Sequence, residues 1–264
     1  MKRLIKSILR MGFVGGPLLA LIKGMNQGTR AAASLTHQLQ LIMEWQVLPN
    51  PEWFDHNIDL YNQWRKTRTP LIMERGCYNL LAIKKGGTLL ELCCGDGFIS
   101  HYFYSHKVAH MIAVDFDPAA VRHASIHHAG PNISFQLADI RQSLPEGEFD
   151  NVVWDAAIAH FTPEETSAIL RNIRSRLKPG GILSGSTIVK REDGKKSLHQ
   201  HEYEFKSRED LVGVLSPHFE NVCVFETLHE GRRNLYFYAS DGILPLESGW
   251  PSMTRASELS KQGA

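Results

Sequence analysis

The sequence predicts an α/β protein whose seven-stranded, mostly parallel sheet carries helices on both faces and ends in a C-terminal antiparallel hairpin. Two observations predict this fold class. From residue 88 onward, short apolar runs alternate with helix-length segments, which is the pattern of β-α-β units. The last two apolar runs, 222–226 and 235–239, are separated only by a short segment containing Gly231, so they predict a hairpin.

Each strand or helix is predicted from the length and spacing of its apolar residues and from the residues that begin or end it. The earlier strands are predicted from apolar runs too short for helices, at 88–93, 111–114, 133–137, 152–154 and 182–189. The helices are predicted from apolar spacing and, in several cases, from a proline at the first turn, at 71–83, 98–106, 118–128, 163–177 and 207–215. A parallel sheet connected in this way is covered on both faces.

Residues 1–70 precede this pattern and predict a basic N-terminal extension with a helical and aromatic lid, followed by a domain at 71–242 and a tail at 243–264. The first 43 residues contain six basic residues and no acidic one. Their apolar run, 11–22, is too short to cross a hydrocarbon core of about 30 Å. It also lacks a closely following signal-peptide cleavage site. Two interpretations stay open: a cap or disordered start, and peripheral contact of residues 1–30 with an anionic membrane.

Composition narrows the class of protein. The 264 residues include 29 basic and 28 acidic side chains, a net charge of +1, so no global field favours a dedicated nucleic-acid binder. The four cysteines show no zinc-site spacing. Buried free thiols in a reducing cytoplasm are the expected state, with membrane contact as the alternative location. No metal site is predicted, and the oligomeric state is left open.

The loop after the first strand is the first candidate for ligand binding, because ligands of such sheets bind beyond the carboxyl ends of the strands. Gly95 and Gly97 let the backbone approach a ligand closely. Glu91, at the end of a buried strand, needs a cation or several donors. Asp115 closes the second strand, and such a carboxylate can accept both hydroxyls of a ribose. Asp139 follows the third strand.

The motif Glu91-x-Cys93-x-Gly95-x-Gly97 resembles the first motif of the class I S-adenosylmethionine-dependent methyltransferases, which have a Rossmann-like fold. Cys93 stands where that family has the first of three glycines. Segments 149–155 and 177–183 resemble the family's fourth strand and the turn into its fifth. The resemblance covers about 86–189.

The resemblance implies S-adenosylmethionine as cofactor. Asp115 would bind the ribose, and Asp139 and the Ile140 backbone would read the adenine, with Phe116 and Ile140 on its two faces. Arg75 is a candidate for the methionine carboxylate. A nicotinamide-dependent dehydrogenase is the competing interpretation, but its fingerprint needs a third glycine where this chain has Ser100.

The acceptor side is predicted beyond the fourth strand. Asp155, which also borders the cofactor, and His160 are the candidate bases, with His160 ranked first. A second group follows the fifth strand and is expected to form a polar wall for the acceptor: His199, His201, Tyr203 and, from the hairpin, Arg233. If that segment is extended, the two histidines share a face. The aromatic segment 53–64 would cover the cofactor end.

The function that follows is methyl transfer to a small-molecule acceptor, such as a sugar or a lipid-linked intermediate. Two alternatives stay open. The acceptor is a protein or an RNA, or the chain is a cofactor-binding partner subunit without catalysis of its own.

Overall fold

The computed structural model describes residue 6, residues 10–43, 47, 53, 55, 56, 71–229, 231–245 and 253–255. Its contacts divide the chain into two compact units, Met1–Glu52 and Trp53–Ala264. The division into an extension, a domain and a tail at residues 70 and 242 stays a prediction.

The second unit contains one mixed sheet, as predicted. Its strands are β1 (Thr88–Leu92), β2 (His110–Asp115), β3 (Ile133–Leu137), β4 (Phe149–Asp155), β5 (Leu177–Ile188), β6 (Asn221–His229), β7 (Arg232–Ser240) and β8 (Met253–Arg255). They lie in the order β3-β2-β1-β4-β5-β7-β6-β8. The first five strands pair in parallel, and β7 pairs antiparallel with both β5 and β6. The seven predicted strands and the hairpin are therefore confirmed, and the three-residue β8 adds an edge strand that the sequence did not predict.

Local signals explain where the helices of this unit begin. These helices are α2 (Leu71–Ala82), α3 (Pro118–His127), α4 (Pro163–Arg176) and α5 (Arg208–Leu215). Thr162 and Glu165 form a reciprocal capping box at the start of α4, and the Ser207 side chain caps α5. The segment after the glycine loop closes in a π-helical turn, Ser100–Tyr104, and a 3₁₀ turn, Ile158–His160, follows β4.

Two apolar layers bury the sheet. Leu90, Leu92 and Trp154 contact the layer that holds α4 and α5. Leu89 and Val153 face the opposite layer, which holds α2 and the π-helical turn. This alternation places the side chain of residue 91 on the α2 face of β1.

The first unit contains α1 (Gly12–Ile42), a helix of 31 residues with Pro17 inside it. The apolar run at 11–22 is therefore only the first part of a longer helix. Within the described residues, no helix combines the length and the apolar character that a membrane crossing requires. Most of the predicted lid lies outside the described residues.

None of the four cysteines forms a disulfide, but the expectation that they are all buried is wrong. Cys223 is buried in the hairpin, Cys93 and Cys94 are partly buried, and Cys77 is exposed on α2. The spacing of an amphipathic helix leaves one face in water, and Cys77 lies on that face.

The amino end of the sheet is held by the carboxylate of Asp150 at the start of β4. It accepts hydrogen bonds from the Thr88 N–H at 2.9 Å, from the Lys84 ammonium at 2.7 Å and from the Lys178 ammonium at 2.9 Å. Burial would raise the pKa of Asp150, but the bonds from the two lysines outweigh it and hold that pKa well below its ordinary value.

Candidate active site

The loop after β1 has the backbone of a ligand cradle. Cys93, Gly95 and Gly97 all have left-handed φ angles, of +57°, +55° and +75°. At Gly97 a Cβ would lie 2.7 Å from the Phe135 ring, whereas at Gly95 it would lie 3.6 Å from the Trp53 Cβ. Gly97 therefore serves packing, while Gly95 has room for a side chain but adopts a conformation that such residues avoid. Cys93 adopts the glycine conformation at a cost of about 1–2 kcal/mol.

Glu91 is 4% exposed and accepts a 2.5 Å hydrogen bond from the Ser100 hydroxyl of the π-helical turn. Burial is the main cause that raises the pKa of Glu91 to about 8, and the charge of Asp155 adds to it. Near neutral pH the carboxyl group is therefore mostly protonated. A cation beside it would favour the ionised form, which fits the positive charges of an S-adenosylmethionine molecule.

Asp115, at the carboxyl end of β2, accepts hydrogen bonds from the Gly95 N–H at 2.9 Å and from the Asp117 N–H at 3.0 Å. Burial raises the pKa of Asp115, and these backbone bonds oppose the rise. The carboxylate thus fixes the glycine loop to the next strand. Its remaining acceptor positions suit hydroxyl donors.

Beyond β3, two of the three residues predicted to contact adenine, Asp139 and Phe116, already contact Arg141. Its guanidinium bonds the Asp139 carboxylate at 2.9 Å, and this bond is the main reason why the pKa of Asp139 is lowered. The same guanidinium lies 5.9 Å from the centre of the Phe116 ring. Phe116 is 44% exposed, whereas Ile140 is 3% exposed. The sequence analysis did not single out Arg141.

Arg75 of α2 donates a 2.8 Å bond to Asp155 at the end of β4. Ser186 of β5, which pairs with Asp155 in the sheet, donates a second bond at 2.5 Å. Burial alone would lower the pKa of Arg75, but the attraction of Asp155 outweighs it and the pKa is raised. Both oxygens of the Asp155 carboxylate therefore already accept hydrogen bonds. The predicted contact of Arg75 with a cofactor carboxylate stays a prediction.

His160 and His201, predicted separately from distant segments, lie together. Their ring centres are 4.9 Å apart and the rings are nearly perpendicular. His201 donates from Nδ1 to Glu204 at 2.6 Å. Burial, followed by the charge of His201, lowers the pKa of His160 to about 4. A neutral imidazole at neutral pH can accept a proton.

A backbone clamp holds this pair together. The N–H groups of Glu202 and Tyr203 both donate to the carbonyl of Ala159, at 2.8 and 3.1 Å. The chain turns at 198–201, with the His201 N–H bonded to the Leu198 carbonyl. The expectation that His199 and His201 share a face is therefore wrong: His199 is exposed and His201 is buried.

The other two predicted acceptor residues have partners elsewhere. Tyr203 donates to Asp210 at 2.9 Å, and Arg233 bonds Glu226 across the hairpin. Ser100 and Ser186 were not predicted to hold the site's carboxylates, because these roles depend on a π-helical turn and on strand register. Neither feature has a signal in the spacing of residue types.

The model of the family described as "Methyltransferase domain" matches residues 89–181. An uncharacterized methyltransferase of Synechocystis sp. is 34% identical over 106 residues, which are 39% of this chain and 48% of the relative. A ubiquinone biosynthesis O-methyltransferase of Xanthomonas euvesicatoria is 30% identical over 168 residues, 62% of this chain and 66% of the relative. The chain thus spans about half to two thirds of the length of these relatives.

Among solved structures, the DhpI-SAM-HEP complex superposes with a TM-score of 0.54 at 19% identity, covering 69% of this chain and 91% of DhpI. The N-methyltransferase NodS from Bradyrhizobium japonicum WM9, in complex with S-adenosyl-l-homocysteine, gives 0.52 at 18% identity, covering 67% and 91%. At these identities the likeness supports the fold.

Proposed function

The chain belongs to the class I S-adenosylmethionine-dependent methyltransferases, and from that premise we propose that it is an enzyme that methylates a small molecule at a hydroxyl group. A sugar and a lipid-linked intermediate are the acceptor types we favour. The observation that carries this proposal is the neutral, half-buried imidazole of His160 next to the end of β4, at the same edge of the sheet as Glu91 and Asp115. The likeness to a ubiquinone biosynthesis O-methyltransferase supports a hydroxyl acceptor.

On the cofactor side, the loop backbone and three carboxyl groups would bind S-adenosylmethionine. Glu91 would face the positively charged part of the cofactor and lose its proton on binding. Asp115 would accept the ribose hydroxyls while it keeps its bonds to Gly95 and Asp117. Asp139 would accept from the adenine amino group, between Phe116 and Ile140, and Arg141 would have to give up part of its present contact. When bound, S-adenosylmethionine supplies an electrophilic methyl group.

The acceptor side supplies orientation and proton removal. His160 would accept the proton of the attacking hydroxyl. With a pKa of about 4, it is too weak to remove that proton in advance, so proton transfer would accompany methyl transfer. His201 would act as a positioning residue, because Glu204 fixes its ring against that of His160. Arg75 would hold the Asp155 carboxylate in place at the end of β4.

The test is to incubate the purified protein with S-adenosylmethionine and a metabolite extract, and to search for a methylated product by mass. We expect a product that His160→Ala fails to form at a comparable rate. Calorimetry on the same sample separates the alternatives. Cofactor binding without any product would favour a partner subunit, and failure to bind S-adenosylmethionine and S-adenosylhomocysteine while NAD binds would overturn the assignment. A methylated protein or RNA in the extract would favour the other alternative.

Peripheral membrane contact belongs to the same proposal. In α1, Leu18, Leu21, Ile22 and Met25 are exposed and recur at helical spacing. Residues 1–30 include six basic residues and no acidic one. We expect the chain to sediment with anionic vesicles more than with zwitterionic ones. The double variant Leu21→Ser/Ile22→Ser should lose this difference, and equal sedimentation with both lipids would contradict membrane contact.

A further inference from the structure

Three side chains with metal-binding atoms converge behind the glycine loop. One ligand atom from each of Asp96, His123 and His128 lies within 4.8 Å of the others. Asp96 belongs to the loop itself, His123 lies on α3, and His128 caps the end of α3. The methyl-transfer proposal uses none of the three.

The carboxylate of Asp96 is buried and is held by several hydrogen-bond donors. Asp96 is 1% exposed, and its carboxylate accepts bonds from the N–H and Nδ1 of His56, both at 2.8 Å, and from the Phe98 N–H at 3.1 Å. A buried carboxylate that is oriented by several donors is a suitable metal ligand.

His128 is oriented by the loop that contains Asp96. It is 1% exposed, and its Nδ1 lies 2.6 Å from the Asp96 backbone carbonyl oxygen. A carbonyl can only accept, so Nδ1 carries the hydrogen of this bond and Nε2 is the ring nitrogen that can bind a metal. Metal-binding histidines are usually held in this way, with the non-ligating nitrogen bonded to a carbonyl or carboxylate.

His123 supplies the most direct indication of a ligand. Its Nε2 is buried and has no hydrogen-bond partner among the residues that the structure describes. Its ring lies 5.0 Å from that of Trp53 and 5.9 Å from that of His128. A buried polar atom without a partner is costly unless something binds it.

We propose that Asp96, His123 and His128 form a Zn²⁺ site that joins the glycine loop to α3. Two imidazole nitrogens and one carboxylate are a donor set that Zn²⁺ accepts, with a further position open to water. Zinc ligands at about 2 Å from the metal lie closer together than the 4.8 Å limit, so side-chain rotations of about 1 Å would complete the site. Bound metal would hold Asp96, and with it Gly95 and Gly97, in place. The proposal does not depend on methyl transfer.

The experiment uses the full chain, free of any histidine tag and stripped with a chelator. Zn²⁺ is titrated in competition with a chromogenic chelator, and Co²⁺ is titrated separately by absorption. We expect one tight Zn²⁺ per chain, a higher melting temperature with Zn²⁺, and a Co²⁺ spectrum without thiolate charge transfer. His123→Gln should weaken Zn²⁺ binding at least about tenfold, since even outer-shell changes cost 10–100-fold. His106→Gln, a change at an exposed histidine, is the matched control and should bind as the parent does.

Three results would overturn the site: no Zn²⁺ binding by the parent chain, unchanged affinity in His123→Gln, or thiolate charge transfer that assigns the metal to Cys93 and Cys94. Asp96→Asn provides a second variant at an oriented ligand, and circular dichroism reports whether it folds. His123 is only partly buried on a helix, so its variant decides the outcome even if Asp96→Asn does not fold.

Discussion

The glycine loop at 93–97 and the histidine pair of His160 and His201 lie at the same edge of the sheet, yet they are built differently. The loop is formed by consecutive residues, and its shape is set by their backbone angles and hydrogen bonds. The pair is assembled from segments 41 residues apart and depends on side-chain packing and on a backbone clamp at Ala159. The backbone geometry of the loop can be predicted from a local motif in the sequence. For the long-range pair, the sequence shows the two histidines but not that they lie together.

The largest expected effect separates chemistry from binding. His160→Ala should lower turnover by about 10²–10⁴-fold, the usual range for loss of a general base, with little change in cofactor affinity. Turnover is measured with the acceptor found by mass, and affinity by calorimetry.

His201→Ala and His199→Ala form the matched pair for that measurement. Loss of His201 should lower the turnover by positioning His160 less well, and Gln at 201 should restore it in part. Exposed His199 should be silent or raise only the acceptor KM. Full activity in all of these variants would remove the catalytic role of the histidine pair.

The next effect tests the loop. Gly95→Val should keep a native circular dichroism spectrum, at a stability cost of about 1–2 kcal/mol for the left-handed backbone. It should weaken cofactor binding by about 100-fold, because a branched side chain enters the ligand's path at a cost of about 3 kcal/mol. Gly97→Val should instead unfold more readily, since its Cβ would overlap the Phe135 ring. Retained cofactor binding in Gly95→Val would place the cofactor away from the loop.

Glu91 gives a pH dependence of both stability and binding. Its folded pKa, about 8, lies above the ordinary value of 4.5, so the native state binds the proton more tightly and stability falls as pH rises between these values. A cationic cofactor prefers the ionised form, so its affinity should rise with pH, by up to about tenfold per unit below pH 8.

Glu91→Gln is the control for the pH dependence of stability and for that of cofactor affinity. It keeps an acceptor for Ser100 but has no proton to lose, so the protein should become more stable than the parent above neutral pH and bind the cofactor more weakly. Chemical denaturation and calorimetry at several pH values measure the two effects. If the pH dependence of stability and of cofactor affinity is unchanged in Glu91→Gln, another titrating group causes it.

The smallest effect concerns Cys93. Cys93→Gly relieves the left-handed backbone at residue 93 but adds chain entropy to the unfolded state, so the stability should change by less than about 1 kcal/mol, in the stabilising direction. Cys94→Gly offers no such relief and should destabilise. Urea midpoints compare the two, and a strongly destabilised Cys93→Gly would show that the thiol itself is needed.

Much of the fold could be predicted because the signals for each β-α-β unit lie within that unit's own residues. Pro118 and Pro163 mark helix starts, and the apolar runs are of strand length. The length of α1 could not be predicted, since its glycines weaken the periodicity of a helix that is nonetheless continuous. The strand β8 has only three residues and no pattern of its own.

The candidate site divides in the same way. Glu91, Asp115 and the glycines could be located from strand ends alone. Ser186 could not, because its bond to Asp155 depends on the register of β4 against β5, which includes an irregularity after Phe149. The histidines near Asp96 were missed for a similar reason: the helix end and the loop are 27 residues or more apart, and nothing in their spacing resembles a known metal motif.

The carboxylate of Asp150 has a consequence for the order of folding. Its hydrogen bonds reach Thr88, 62 residues away, and Lys178, 28 residues away, so they close only after three strand starts have met. Contacts with such separation belong to late steps, and stabilisation gained there slows unfolding more than it speeds folding. We therefore expect amide hydrogen exchange at the start of β1 to follow global unfolding in the parent chain and local opening once Asp150 is replaced.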